Sequence, residues 1–305
     1  MKKSKILLPI YLILSLAIII SAVVVSLTAG INLGIDFVGG KQIEIQVPDG
    51  ESTTSYKQVI ADVLDDYGLS IDTSFEEDKF TDKYYVVKIN TQELSSDVAN
   101  KIRTDISQEL NIPVENVSEI LTISGSVTQQ TIINASVAVI GILVFLFVAG
   151  WLRLGVMNGL TLLFGTIHNM IITFAVILLS RIQLSVSACV SVFVLSVVFA
   201  GLAALLLDNA KELTSSKLNK DETTHVLYAQ AFRHILLPVI IILASILVFA
   251  VATLFVGTST IMMFAVASVI SVITCFYSLH VSSLMGGYLA EVKQLKDKQK
   301  LSKNN

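Results

Sequence analysis

Cysteine and histidine are scarce in this 305-residue chain, which has two cysteines and four histidines. Both cysteines, Cys189 and Cys275, fall in apolar segments, and the polar stretch 29–128 contains neither residue type. A disulfide framework is therefore excluded in that stretch, and the two thiols are interpreted as small buried hydrophobes. The sequence also lacks a nucleophile–base pair, a metal-ligand cluster and a phosphate-binding loop. No enzyme activity, cofactor or metal site is expected.

Charged residues are missing from six long apolar segments, and this absence decides the class of the protein. The segments are residues 6–28, 129–151, 157–180, 185–207, 235–256 and 260–285. Each is close to the roughly 20 apolar residues that a bilayer-spanning helix needs. A mean hydropathy of +0.75 likewise excludes an ordinary soluble domain. Six transmembrane helices are predicted, whose only side chains titrating near neutral pH are His168 and His280.

The placement of lysine and arginine predicts the orientation of these helices. If six helices alternate, the basic residues of the loops and tails fall on the side of the two termini, and Arg181 is the exception. They are Lys2, Lys3 and Lys5, then Arg153, Lys211, Lys217, Lys220 and Arg233, then Lys293, Lys296, Lys298, Lys300 and Lys303. A multi-pass protein of the cytoplasmic membrane with both termini cytoplasmic is predicted. The first segment exceeds a signal-peptide core in length, so it is interpreted as an uncleaved anchor.

These assignments divide the chain into four parts. Residues 1–28 form the cytoplasmic N-terminus and helix 1, and residues 29–128 form an extracytoplasmic domain. Residues 129–289 form helices 2–6, and residues 290–305 form a basic cytoplasmic tail. The extracytoplasmic domain carries 18 Asp/Glu against 7 Lys/Arg, which argues against nucleic-acid binding. Its carboxylates are interpreted as a solvated face rather than a calcium site, and the domain as an interaction module.

The hydrophobic periodicity within this domain alternates between strand and helix. Residues 41–47 alternate strictly and predict a strand, and the patterns at 69–75, 83–90 and 116–123 are also strand-like. Residues 53–67 and 92–110 have helical spacing, and the acidic run 76–83 is predicted to be a loop. The order β-α-β-β-α-β predicts a ferredoxin-like α+β domain. The predicted fold class is therefore an α-helical membrane bundle with one such domain outside it.

The segment "LGIDFVGGKQIEI" (33–45) lies between helix 1 and the first strand. Its glycines permit backbone conformations closed to other residues, and its aspartate can hydrogen-bond local amides. The motif consists of Gly34, Ile35, Asp36, Phe37, Gly39 and Gly40. It resembles the signature of the SecD/SecF protein-export family, and the layout of one helix, an outer domain and five helices resembles SecF.

The resemblance implies a subunit that assists export of polypeptides across the cytoplasmic membrane. Its implied partners are a SecD-like subunit, components of the Sec channel, the translocating polypeptide and membrane lipid. The family belongs to the resistance-nodulation-division superfamily, in which proton flow drives movements of outer domains. Ionisable groups inside the membrane are therefore the positions to compare.

Those membrane positions differ in this chain. Where SecF proteins carry His-Asp in helix 3, this chain has His168-Asn169, and where they carry Asn-Asp-Thr in helix 4 it has Gly-Leu-Ala at 201–203. Asp208 keeps the charge of a run that follows in the family, and Arg233 is matched with an arginine near the start of helix 5. The resemblance implies a proton-coupling or interhelical polar site at His168, Asn169, Asp208 and Arg233.

The replacements leave two hypotheses about energy coupling. Leu202 and Asn169 cannot carry a proton, so His168 is the one candidate carrier, although a neutral histidine hydrogen-bonded across the bundle is favoured. The leading hypothesis is a SecF-like subunit that lacks proton-carrying carboxylates, with titrating groups in its partner. The alternatives are a structural scaffold of the translocase and an exporter of the resistance-nodulation-division type. Gly201 is predicted to be a packing contact with helix 5.

Overall fold

The structure is a computed structural model that describes residues 2–46, 53–69, 71–78, 84–89, 91, 94–125, 127–216, 223–256 and 259–303. Its helices are α1 (Lys2–Ala29), α2 (Ile35–Val38), α3 (Thr53–Asp66), α4 (Ser96–Glu109), α5 (Gln129–Leu154), α6 (Val156–Leu179), α7 (Val186–Ser215), α8 (Thr224–Val256) and α9 (Ser259–Lys303). Its strands are β1 (Gly40–Gln46), β2 (Ile71–Asp78), β3 (Tyr84–Ile89) and β4 (Leu121–Ile123). By length and composition α1 and α5–α9 can each cross a membrane, which confirms the prediction of six such helices.

Three of these helices run well beyond the apolar segments that predicted them, by two turns or more. α7 continues to Ser215 rather than 207, α8 begins at Thr224 rather than 235, and α9 continues to Lys303 rather than 285. Hydropathy reports only the part of a helix that suits hydrocarbon, whereas the backbone hydrogen bonds continue past it. The loop residues Lys217 and Lys220 and the segment 79–83 of the predicted acidic loop lie outside the described residues.

The four strands form one antiparallel sheet in the order β2-β3-β1-β4. With α3 and α4 they give the β-α-β-β-α-β order of a ferredoxin-like fold, as the sequence predicts. We call residues 40–123 the sheet domain, and the end of the bundle that carries it the sheet side. β2 extends to Asp78 and so includes acidic residues 76–78 that the sequence assigned to a loop. Its pairing with β3 shifts in register between Asp72 and Glu76.

Alternation along β1 places Ile43 and Ile45 on the face of the sheet that the two helices cover, where both are fully buried. The helices meet this face with one apolar stripe each, and those residues are Tyr56, Ile60, Val63, Leu64, Ile102 and Ile106. Ser95 caps the N-terminus of α4, where its side chain accepts a hydrogen bond from the Val98 amide. The sheet domain therefore has its own apolar core and helix cap.

The membrane bundle is centred on α6, α7 and α9, whereas α5 buries only Gly150 and Leu154. Glycine allows two close approaches between helices. A side chain at Gly159 would lie 2.8 Å from the Trp151 backbone nitrogen, and one at Gly286 would lie 2.5 Å from the Tyr228 ring. Gly201 is different, because nothing lies within 4 Å of a side chain built there. The prediction that Gly201 packs against the next helix is therefore wrong.

Truncating a buried side chain of the sheet domain tests the assignment of its core. We expect Ile106→Ala to lower the free energy of unfolding of the sheet domain by about 2–5 kcal/mol, because its fully buried side chain leaves a cavity. The matched change Val114→Ala, at an exposed side chain, is expected to cost about 0.5 kcal/mol or less. Pulse proteolysis in urea measures both, and equal losses for the two variants would contradict the assignment of the core.

The stability of the sheet domain is expected to depend on pH through Tyr67, whose hydroxyl donates a hydrogen bond to Asp105 Oδ2 across 2.5 Å. That hydrogen bond is the main reason why the pKa of the Tyr67 phenol lies above its ordinary value of about 10. Because the folded-state pKa is the higher one, the bond stabilises the domain fully below pH ~10 and is lost as the pH rises through the folded-state value. Urea titrations from neutral to alkaline pH should show a loss of stability that Tyr67→Phe lacks. An identical alkaline loss in that variant would disprove the assignment.

Candidate functional site

The segment that follows α1 pairs with the loop between α6 and α7 on the sheet side. The Gly34 amide donates to the Leu184 carbonyl across 2.9 Å, and the Leu184 amide donates to the Asn32 carbonyl across 2.8 Å. A side chain at Gly34 would lie only 3.3 Å from the Leu184 oxygen. The first glycine of the motif therefore permits a close backbone pairing between two loops that are far apart in sequence.

Asp36 joins this loop pair to two further segments. Its carboxylate oxygen Oδ2 accepts a hydrogen bond from the Val186 amide, the first residue of α7, across 3.0 Å. Its backbone carbonyl accepts from the Val127 amide, in the segment that leads into α5, across 2.9 Å. Ser185 caps the same end of α7 through its hydroxyl, which accepts from the Ala188 amide. One motif residue thus touches both the start of α7 and the chain leaving the sheet domain.

The remaining motif residues shape the turn between Asp36 and the sheet. Ile35 and Phe37 lie in α2, the single turn that Asp36 also occupies. Gly39 has a φ of +76°, a left-handed conformation that favours glycine. Gly40 then begins β1 opposite Ile123 of β4. The motif therefore connects the end of a membrane helix to the first strand of the sheet within a few residues.

A second polar cluster lies in the middle of the bundle around His168 of α6. Its Nε2 is 2.9 Å from the Ser15 hydroxyl of α1, and its Nδ1 is 3.2 Å from the Ser278 hydroxyl of α9. Ser15 also contacts the Tyr277 hydroxyl across 2.8 Å, and that hydroxyl donates to the Tyr11 carbonyl. Because a hydroxyl can donate or accept, one neutral tautomer of His168 satisfies both ring nitrogens.

Asn169 points from α6 towards α7 and is 1% exposed. Its Nδ2 donates to the Ser196 hydroxyl across 3.4 Å, and its Oδ1 has no hydrogen-bond partner among the described residues. Two hydroxyl pairs continue the polar contacts towards the sheet side. They are Thr173 with Thr274 at 2.7 Å and Ser191 with Ser268 at 2.8 Å.

Of the four positions expected to form one site, the structure brings together only His168 and Asn169, which are adjacent in α6. Asp208 lies near the far end of α7, where its half-buried carboxylate pairs with the exposed side chain of Arg153 across 2.9 Å. Arg233 is an exposed residue of α8. Leu202, the position that the resemblance matches with an aspartate, is 4% exposed and belongs to the apolar core.

Comparisons with known proteins agree with the motif and the fold. A family model described as the SecD/SecF GG motif matches residues 24–47, which include all six motif residues. The protein translocase subunit SecF of Ketogulonicigenium vulgare is 22% identical over 215 residues, or 68% of this chain and 64% of that protein. These findings support a divergent SecF-type protein.

Solved structures show the same fold. A crystal structure of SecDF in a super-membrane-facing form matches 98% of this chain with a TM-score of 0.73 and 18% identity. A second structure, SecDF from Thermus thermophilus described as a translocon-associated membrane protein, matches 92% with a TM-score of 0.64 and 18% identity. The matched residues span 40% and 37% of those two chains, respectively.

The sequence analysis named no partner for His168 or Asn169. For Ser278 a signal existed, a row of hydroxyl side chains in α9 at spacings of three and four, which places them on one helical face. The row consists of Ser268, Ser271, Thr274, Ser278 and Ser282. In the part of the chain that the structure describes, no group of three or more His, Cys, Asp or Glu could hold a metal ion.

The hydroxyl pair of Thr173 and Thr274 allows a quantitative test of this cluster. A double-mutant cycle with Thr173→Val and Thr274→Val should give a coupling energy of about 0.6 kcal/mol, the usual value for such bonds between membrane helices. Unfolding in mixed detergent micelles measures it. Among the described residues, Thr28 and Thr253 bond to carbonyls of their own helices and not to each other, so their cycle should give no coupling. Equal coupling in both cycles would contradict the proposed pairing.

Proposed function

We propose that this chain is a SecF-like accessory subunit that assists polypeptide export across the cytoplasmic membrane with a SecD-like partner. The observation that carries the proposal is the position of the SecD/SecF motif. Through Asp36 it bonds both to the first residue of α7 and to the segment that leaves the sheet domain. The motif therefore lies where movement of an outer domain and movement of a membrane helix would meet.

The need for a partner is supported by the lengths of the matched proteins and by the surface of α5. Nearly the whole chain corresponds to 40% of a SecDF chain, so a SecD-like subunit would supply the remainder. α5 exposes large apolar side chains along its length, among them Val137, Ile140, Val144, Phe145 and Val148. Within a membrane these side chains would contact lipid or helices of the partner and of the Sec channel.

Both termini are proposed to be cytoplasmic. Arg153, Lys211 and Lys293 lie at the ends of α5, α7 and α9 away from the sheet domain, as the rule for positive charges on the cytoplasmic side requires. Arg181 lies on the sheet side, but its guanidinium is bonded to the carbonyls of Ala29 and Gly30. This contact accounts for the one basic residue that departs from the rule.

The proposed subunit does not itself transport protons through the membrane. Leu202 is packed in the apolar core, and Asn169 does not titrate. His168 has hydroxyl partners at both ring nitrogens, which suit a neutral ring and supply no counter-charge to an imidazolium. The titrating groups are therefore assigned to the SecD-like partner. The same observations favour the second candidate, a scaffold that holds translocase subunits together without transducing energy.

Export driven by the proton-motive force tests the proposal. Deleting the chain should reduce that export, and His168→Ala should restore it as fully as the unaltered chain does, because the neutral ring carries no proton. His280→Ala serves as the matched control, since that histidine makes ring contacts with Tyr11 and Phe232 and is not among the described hydrogen-bond partners of His168. Loss of export in His168→Ala alone, with normal amounts of protein, would show that the histidine takes part in coupling.

The scaffold is distinguished by the integrity of the complex. Variants of the sheet domain that abolish export while the complex with the SecD-like partner still purifies in mild detergent would favour the active subunit. If every export defect is accompanied by loss of the complex, the scaffold is the correct assignment. The comparison requires the full chain in its own membrane.

A further inference from the structure

We propose that Asp36 and Arg181 are a pair of positioning residues, each of which places its charge at the end of the membrane helix next to the other residue. Asp36, just after α1, bonds to the start of α7, and Arg181, just before α7, bonds to the end of α1. Together they fix the sheet domain on the bundle. Neither the family motif nor the proposed function assigns a role to Arg181.

Arg181 supplies the contact at the end of α1. Its Nη2 donates to the Ala29 carbonyl across 3.0 Å, and its Nη1 donates to the Gly30 carbonyl. The last carbonyls of a helix have no partner within the helix, and the negative end of the helix dipole favours a cation there. Both contacts therefore satisfy groups that would otherwise lie unpaired near the membrane surface.

The backbone at Arg181 is held in a conformation that costs energy. Its φ of +56° is left-handed, which is unfavourable for a residue other than glycine. The Asn32 amide group donates to the Arg181 carbonyl across 3.0 Å, from the segment beyond α1. Residues at or just after the end of α1 thus bond to both the side chain and the strained backbone of Arg181.

Asp36 supplies the reciprocal contact at the start of α7. The first amides of a helix also lack partners, and the positive end of the dipole favours an anion. Asp36 satisfies the Val186 amide, and Ser185 satisfies the Ala188 amide. The end of the 30-residue helix α7 is therefore capped partly by its own residue and partly by a residue from the α1 side.

The two charges are joined by backbone bonds between their loops. The pairing of Leu184 with Asn32 and Gly34 lies between them, and the Val127 amide bonds to the Asp36 carbonyl. The chain enters the sheet domain just after Asp36 and leaves it just before Val127. The entry and the exit of the domain are thus both tied to the first residue of α7, so displacement of the domain reaches that helix directly.

Hydrogen exchange of the full chain in lipid nanodiscs, followed by mass spectrometry, tests the pair. Asp36→Leu and Arg181→Gln should each raise the exchange rate of amides in 32–38 and 184–188 roughly tenfold, the size expected for a lost helix cap. Strands β1 and β3 should exchange at unchanged rates. Arg181→Lys keeps the charge and should stay within about twofold of the unaltered chain.

Asp208→Asn and Arg153→Gln are the matched controls, because they remove the same charges from an exposed ion pair at the other end of the bundle. They should leave both junction peptides unchanged. The decisive readout is the effect of Arg181→Gln on the Val186 amide, which Arg181 does not contact in the described hydrogen bonds. Faster exchange there supports a joined pair, and an effect confined to the end of α1 would overturn it. Exchange is measured without translocation, so the result is independent of the role in export.

Discussion

Polar groups inside a bilayer must find their partners within the protein, since hydrocarbon offers none, and this constraint governs the bundle. Its middle contains hydroxyl, amide and imidazole groups bonded to one another or to helix carbonyls, as in the contacts of His168 with Ser15 and Ser278. Carboxylate and guanidinium groups lie at the helix ends, where Arg153 meets Asp208 and the Glu291 carboxylate lies 2.6 Å from His225 Nε2. The interior is thus polar but holds no fixed charge.

This separation explains why the junction on the sheet side carries the SecD/SecF motif. Helix ends present unpaired amides and carbonyls, and at the ends of α7 and α1 a carboxylate and a guanidinium bond to them. The same backbone segments lead into and out of the sheet domain. A domain attached in this way is held by the helix termini themselves, so a small change in its position acts on two membrane helices at once.

Much of the fold could be predicted from the sequence because its signals are local. Strict alternation in 41–47 and helical spacing in 53–67 report which face of each element is buried, and long apolar runs report the membrane helices. The acidic end of β2 was missed because strand pairing with Tyr84 and Tyr85 decides it, not composition. The pairing of Asp208 with Arg153, rather than a cluster with Arg233, depends on how three helices pack and leaves no local signal. Arg181 did leave one, as the lone basic residue in a loop on the sheet side.

We propose that this chain has the fold of the SecDF structures it matches while its bundle does not transport protons. Proton uptake into proteoliposomes with an imposed membrane potential tests it most directly. Vesicles containing this chain alone should take up protons no faster than empty vesicles between pH 6 and 8, the range in which a histidine would titrate. Uptake above that background that disappears in His168→Ala would contradict it.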